Sequence, residues 1–356
     1  MIWYDEGTVG NQMLYHQWFH TLKNVSLRDT DTSSPGNTDG RGLDSNPDLN
    51  IQTRILDLIR PFFRAADFVD QMLAASVDLD HIMYYSRNRA VWTLISMLNS
   101  AIKDILSYNE CHVDFPLTDA IMEKYIVKKL ILAVITSITG DLKHDQKDQV
   151  EKMVKSFRMT DFPPESICNY TVSVQSGEWI SMSNRTTVPT LDYQQLFKSD
   201  TIIQTDDTLR NEALLTAFLS ESRTLLLCGP PGCGKSMVIL AALRKMPNVE
   251  VSIINFSSAT TPKTLLQAMR HHCDYKKTPH GIILSPKNSG RLVLFCDEIN
   301  LPDEDSYGTQ RVISFIRQLV EQGGFWDTLD KSWVTLERIQ FVGAWYVLYF
   351  NEFICL

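Results

Sequence analysis

Apolar positions change their period about halfway along the chain. Up to residue 158 they recur mostly at helical spacing, and beyond residue 170 they gather into short unbroken runs. Met13, Leu14, Trp18, Phe19 and Leu22 form a first helical stripe within residues 1–28. Residues 29–50 break it, being dominated by Asp, Ser, Pro, Gly and Asn, and read as a mobile polar linker or insertion. Ile51, Ile55, Leu58 and Ile59 then mark a helical face that Pro61 ends or kinks. Phe68, Met72 and Leu73 mark the next. From Leu79 to Leu106 the pattern runs through Ile82, Tyr85, Val91, Leu94, Ile95, Leu98, Ile102 and Ile105, which implies burial on more than one side. Residues 121–138 and 150–157 complete an all-helical domain over 51–158. Arg87 and Arg89 within it read as surface arginines, or as groups facing a nucleotide or a neighbour.

Pro163-Pro164 closes the helical block. In the connection over 159–200, Tyr170–Val174 and Trp179–Met182 read as a small hairpin. Asp207 is a candidate N-cap for a helix carrying Leu209, Ala213, Leu214, Ala217 and Phe218. Residues 201–344 then alternate buried runs with helical patterns, which predicts an α/β domain built on a parallel sheet. Its runs are Leu225–Cys228, Val249–Phe256, Leu292–Cys296 and Ile339–Gly343. Thr261 and Pro262 launch a helix to about Cys273, and Tyr307–Val320 is a second one. Phe325-Trp326 and Trp333-Val334 flank a hairpin around Asp330.

The chemistry is concentrated at two strand ends. Gly229-Pro230-Pro231-Gly232-Cys233-Gly234-Lys235-Ser236 fits G-x-x-x-x-G-K-[ST] between the strand at Leu225 and the helix opening at Met237. Its glycines let backbone N–H groups converge on phosphate oxygens at a helix N-terminus. Lys235 would reach the β and γ phosphates of ATP, and Ser236 would hold Mg²⁺. Asp297 and Glu298 end a buried run, where ligands of open parallel sheets gather. There Asp297 would orient the metal's water shell and Glu298 would polarise an attacking water. Ile202 and Ile203, ahead of the loop strand, are candidates for the apolar wall over a base, or plain core.

Composition narrows the alternatives. The 356 residues are 44% hydrophobic and 21% charged, with a formal net charge of −8, which suits a globular chain of two or three domains. No basic block is longer than two residues, so no nucleic-acid surface is expected. Seven cysteines do not make a disulfide framework. Of four N-x-[ST] matches, at Asn24, Asn169, Asn184 and Asn255, the last ends a core strand where a glycan would not fit. No metal site is expected at His16 and His20. Met1 is followed by Ile-Trp-Tyr-Asp-Glu rather than a signal segment, and Tyr125–Gly140 is too short to span a bilayer. A cytosolic chain with no membrane insertion is expected.

Residues 228–236 resemble the nucleotide loop of AAA+ ATPases. The strings Asn255–Thr261, Phe295–Pro302 and Tyr307–Arg317 narrow the resemblance to the third AAA+ module of cytoplasmic dynein heavy chains. The N-terminal half is similar to the end of the second module, and the likeness covers residues 1 to 344. It implies an α/β P-loop (AAA+) nucleotide-binding domain preceded by an all-helical AAA+ small domain. Residues 1–28 would end the second large domain, 51–158 would be its helical small domain, and 201–344 the third large domain. It further implies ATP or ADP with Mg²⁺ as ligands, the nucleotide contacting the loop from Gly229 through Met237, and neighbouring AAA+ modules as partners. In the parent it implies microtubules, accessory chains, minus-end-directed movement and a cytoskeletal location. One departure matters. In the family the last strand is followed by Cys-Asn-Pro-Pro, whose Asn senses the γ-phosphate. Trp345-Tyr346 stand there instead, so the polar sensor would be Tyr346 and is effectively absent. Residues 345–356, with Glu352 their only charge, read as an aberrant hydrophobic tail of a truncated gene, or as an extra buried strand. By this resemblance the chain is a slice of a ring that binds nucleotide and is catalytically incomplete. The alternatives are a nucleotide-responsive structural module and a non-functional product.

Overall fold

The computed structural model describes residues 15–19, 47–64, 66–81, 85–142, 144–184, 205–279, 281–287, 290–327, 331–346 and 354–355. The chain divides into two compact units: residues 1–198 with 203–210, and residues 199–202 with 211–356.

The first unit is helical. Helices α1 (Pro47–Ile59), α2 (Phe68–Ala75), α3 (Arg87–Cys111), α4 (Asp119–Thr139) and α5 (His144–Ser156) follow one another, with 3-10 turns at Arg60–Phe63 and Ser76–Asp78. Pro61 sits in the first of these turns, where the α-helix stops. α3 and α4 pack together and supply much of the core, including Leu94, Leu98, Ile102, Ile126, Ile131 and Val134. Residues 15–19 are helical and contribute Tyr15 and Trp18; the Trp18 indole N–H donates to Asn99 Oδ1 at 3.0 Å. Met13, Leu14, Leu22, Ile82 and residues 29–46 of the expected linker lie outside the described residues, whereas its last four, Pro47 to Asn50, are helical and open α1.

Two polar devices inside this unit were not visible in the hydrophobic pattern. Asp141 is fully buried, and its carboxylate accepts from Arg89 Nη2 at 2.7 Å and faces His81 Nδ1 at 2.9 Å. The other ring nitrogen of His81 faces the Ser76 carbonyl at 2.8 Å. Arg89 is therefore an internal ion-pair partner rather than a surface arginine. Lys128, also buried, holds the hairpin of β1 (Tyr170–Val172) and β2 (Trp179–Ser181) onto α4. Its ammonium donates to Gly177 O at 2.8 Å and Glu178 Oε2 at 2.9 Å, and holds the Glu178 carboxyl below its ordinary range. Gly177 has φ +67, and a Cβ there would lie 3.0 Å from Lys124 Cβ, so only glycine lets the hairpin approach this closely.

The second unit contains two sheets. Strands β3 (Leu225–Gly229), β4 (Val249–Asn255), β7 (Arg291–Asp297), β10 (Ile339–Tyr346) and β11 (Ile354–Cys355) form a five-stranded sheet in the order β11-β3-β10-β7-β4. The four strands β3, β10, β7 and β4 are parallel, and β11 is antiparallel to β3. β7 and β10 are apolar along their middles because the sheet is covered on both faces. Helices α6 (Asp206–Ser220), α7 (Lys235–Arg244), α8 (Pro262–His272) and α9 (Arg311–Gln322) alternate with these strands along the chain. Strands β5 (Cys273–Thr278), β6 (Gly281–Pro286), β8 (Gly324–Asp327) and β9 (Ser332–Leu336) form a second sheet in the order β5-β6-β9-β8. Its residues Cys273, Leu284, Phe325 and Val334 share one core with Leu265, Met269, Leu294, Val312 and Leu319.

Several local expectations are corrected. The helix expected from Tyr307 begins at Arg311, because Asp305 Oδ1 accepts from the backbone N–H groups of Tyr307 and Thr309 and folds a turn first. Asp207 lies within the first turn of α6; Thr205 caps it, accepting from Thr208 N at Oγ1 and from Leu209 N at its carbonyl. Helix α8 stops at His272, and its expected last residue, Cys273, opens β5. β10 runs through Trp345 and Tyr346, two residues beyond the boundary expected at 344, because it pairs with β3 as far as Tyr346↔Gly229. Asp330 and residues 347–353 lie outside the described residues.

Candidate functional site

The parallel sheet brings three strand ends together. β3 ends at Gly229, β7 at Asp297 and β10 at Tyr346, and β10 lies between the other two. Beyond these ends is a cavity of about 280 Å³ lined by Pro231, Gly232, Gly234, Lys235, Ser236, Met237, Asp297, Glu298, Ala344 and Tyr346.

The loop from β3 to α7 is shaped by its glycines. Gly232 and Gly234 have φ +78 and +85, and nothing lies within 4 Å of where their Cβ atoms would be. Backbone conformation, rather than crowding, requires glycine at both. Gly234 is the N-cap of α7, and its carbonyl accepts the first helical bond from Val238 N at 3.0 Å. The N-terminus of α7 therefore opens on the cavity with its partial positive charge. Lys235 is buried to 9% exposure, and its Nζ donates to Gly229 O at 2.9 Å and Pro230 O at 2.7 Å. Cys233 Sγ is 3.6 Å from the same ammonium.

The acidic side faces this loop. Ser236 Oγ donates to Asp297 Oδ2 at 2.7 Å, joining α7 to the end of β7. Asp297 Oδ1 accepts from Glu298 N at 3.1 Å. Glu298 is exposed and has φ +55, a left-handed conformation that costs about 1–3 kcal/mol for a non-glycine residue and marks functional turns. The surrounding turn is tied down by Ile299 N to Ala344 O at 3.0 Å and Leu301 N to Glu298 O at 3.1 Å. A hydroxyl and a carboxylate converging there are hard oxygen donors of the sort that suits a small divalent cation, and the glycine-rich helix N-terminus beside them suits phosphate oxygens.

The loop residues and the two acids expected from sequence thus meet in one place. Pro231, Gly232, Gly234, Lys235, Ser236 and Met237 line the cavity, while Gly229 and Pro230 present carbonyls to Lys235. Ile202 and Ile203 lie outside the described residues. Sequence reasoning missed Ala344 as a lining residue and Asn300 and Gln310 as supports. Asn300 Oδ1 accepts from Tyr346 N at 3.2 Å, and Gln310 Nε2 donates to the carbonyls of Asn300 and Pro302. No local sequence signal marks them: the parallel pairing of β10 carries that strand to the cavity edge. Tyr346, read as the empty place of a polar sensor, is itself part of the wall.

The fold and this site define a P-loop nucleotide-binding unit of the AAA+ kind, with a helical lid-type unit ahead of it in sequence. Residues 192–347 match the family model described as the P-loop containing dynein motor region, and residues 59–184 match the dynein heavy chain AAA lid domain. The chain belongs to the dynein heavy chain family, as a segment of its motor region. It is 43% identical over 351 residues to cytoplasmic dynein heavy chains of Neurospora crassa and of Drosophila melanogaster, covering 97% of this chain and 8% of each relative. With the Dictyostelium discoideum cytoplasmic heavy chain it shares 40% identity over 300 residues, 83% of this chain and 6% of that one. Membership of a P-loop family implies a nucleotide ligand. Among the described residues no helix is long and apolar enough to cross a membrane.

Proposed function

We propose that the second unit binds Mg-ATP and Mg-ADP as one nucleotide module of a microtubule motor. The observation that carries this reading is the convergence of Lys235, Ser236, Asp297 and Glu298 on one cavity at the sheet's carboxyl edge. The N–H groups of the glycine loop and the N-terminus of α7 would hold the phosphates, with Lys235 moving from its loop carbonyls to phosphate oxygens. Ser236 and Asp297 would hold Mg²⁺, which when bound offsets phosphate charge. Glu298 would take the proton of the attacking water.

Among the described residues lining the cavity, Lys235 is the one cation. In P-loop enzymes an arginine supplied to the transferring phosphoryl group raises the rate by about 10³–10⁵. Residues 1–356 are therefore expected to bind nucleotide and to turn it over negligibly. Within a complete heavy chain, flanked by neighbouring modules, the site would hydrolyse ATP in support of minus-end-directed movement. The location that goes with this reading is the cytoplasm, on microtubules and with dynein accessory chains.

Calorimetric titration with Mg-ATP tests the ligand: Lys235→Ala is expected to abolish binding, since hydrogen bonds to charged groups are worth roughly 1.5–3 kcal/mol each. Equal affinity in the variant would remove Lys235 from the site. In a complete heavy chain, Glu298→Gln is expected to keep ATP binding and stop hydrolysis at this module. Unchanged phosphate release there would exclude Glu298 as the base.

A further inference from the structure

We propose that His81 is a proton-dependent latch of the helical unit. Doubly protonated, it ties the turn ahead of α3 to the turn after α4, and losing one proton loosens that tie. Its ring faces an acceptor at each nitrogen: Nδ1 lies 2.9 Å from Asp141 Oδ1, and Nε2 lies 2.8 Å from the Ser76 carbonyl oxygen. The His81 side chain is 5% exposed and that of Asp141 fully buried. A carbonyl oxygen has no proton to give, and neither has an ionised carboxylate. Arg89 donates to the other Asp141 oxygen at 2.7 Å, the short contact of a guanidinium with a charged carboxylate. A neutral imidazole carries one N–H and would set a bare nitrogen lone pair against one of these oxygens. The imidazolium donates to both.

The ring is fixed in this place from several sides. Tyr85 stacks on it with centroids 4.4 Å apart and planes at 25°, and the Tyr85 oxygen lies 2.6 Å from Ser76 Oγ. The Ser76 carbonyl also accepts from Leu79 N at 3.3 Å, which closes the 3-10 turn. His81 pairs with Leu142 in an antiparallel bridge, and Asp80 N donates to Gln146 Oε1 of α5 at 2.8 Å. The histidine therefore sits where the segment leading into α3 meets the segment joining α4 to α5.

Among the described residues, Arg87 and Arg89 of α3 bring like charge toward the stacked pair, and Asp141 brings the carboxylate that answers it. Asp70 of α2 lies within electrostatic reach of Tyr15, as do Tyr85 and Arg87. Desolvation by burial holds the phenols of Tyr85 and Tyr15 above their ordinary range, so neither changes charge near neutral pH. Folding thus captures a proton on His81 that an unfolded chain gives up above about pH 6.5. Stability from this source is complete below that pH. It falls as pH rises, by up to about tenfold in the folding equilibrium per pH unit, until the folded ring releases its proton. The neutral ring keeps its N–H on the charged acceptor, and its Nε2 lone pair then repels the Ser76 oxygen and loosens the turn.

The test is nuclear magnetic resonance of residues 1–356 carrying isotope-labelled histidine, with His81→Gln identifying the His81 signals among the eight histidines. At about pH 7.5 the His81 ring is expected to carry both N–H protons, whereas a solvated histidine is mostly neutral there. Urea denaturation followed by far-UV circular dichroism reads the consequence. Between about pH 6.5 and pH 8.5 the wild type is expected to lose at least about fivefold in its folding equilibrium beyond any loss in His81→Gln. Tyr85→Leu identifies the signals instead, through loss of the stacked ring, if His81→Gln does not fold. A single protonated nitrogen on His81 at about pH 7.5 overturns the proposal. So does the same pH dependence of stability in wild type and His81→Gln.

Discussion

Lys235 shows how a residue's role can be legible while its state is not. Its spacing from Gly229 makes it the proposed phosphate ligand, yet its ammonium is engaged by two loop carbonyls that only the fold reveals. The cysteines divide by environment. Burial pushes the thiols of Cys228 and Cys296 up to about 12, Lys235 pulling the other way at Cys228, and those of Cys168 and Cys273 up to about 11. The thiolate is the reactive form, so these four are expected to resist alkylation well above neutral pH, becoming reactive only as pH approaches those values. Cys111 is exposed and Cys233 half-buried, and both are expected to react first. Mass mapping of iodoacetamide adducts at pH 7 and pH 9 checks this. Modification of Cys296 in the folded chain at the rate of Cys111 would contradict it. Finding that Asn300 holds Tyr346 needed the fold, because 46 residues separate them.

Among elements, periodicity served best where burial is one-sided or complete. α3 and α4 follow their apolar stripes closely, and β3, β7 and β10 their unbroken runs. β5 escaped because Cys273-Asp274-Tyr275-Lys276-Lys277-Thr278 reads as a polar loop. It is an edge strand whose pairing with β6 is settled by neighbours and whose middle residues face solvent. The parallel pairing of β6 with β9 joins segments about fifty residues apart, which no local pattern announces. The polar ties between helical elements were equally hidden. Asp141 joins α3, through Arg89, to the segment carrying His81, and Asp141→Asn is expected to destabilise the helical unit by about 3 kcal/mol, because it removes the buried carboxylate that Arg89 and His81 both face. Urea denaturation followed by far-UV circular dichroism measures it. A loss below about 1 kcal/mol would show that the pair contributes little.

At the scale of the whole molecule, each unit has its own buried core, and the cavity belongs to the second. Ligand binding to a folded site stabilises it by RT ln(1 + [L]/Kd), about 2.7 kcal/mol at a hundredfold excess over Kd. Hydrogen exchange with and without saturating Mg-ADP is therefore expected to slow in β3, α7 and β7. Unchanged protection of those amides at saturation would place the nucleotide elsewhere. The chain spans 8% of the length of the relatives it matches most fully, so the proposed function is that of one nucleotide module.

By itself the sequence determined the change from helical to parallel-strand architecture, the phosphate loop, and the acids at the end of β7. Those features are local: periodicity reports one-sided burial, glycine reports left-handed backbone, and a strand that ends in charge reports a sheet edge. Only the tertiary structure decided that Asp141 and Lys128 are interior charges, that β5, β6, β8 and β9 make a second sheet, and that Tyr346 forms part of the cavity wall. Each of these depends on which distant segments are brought into register. An identical side chain can be a solvated surface group or a buried partner, and contacts between residues far apart in the chain select between them.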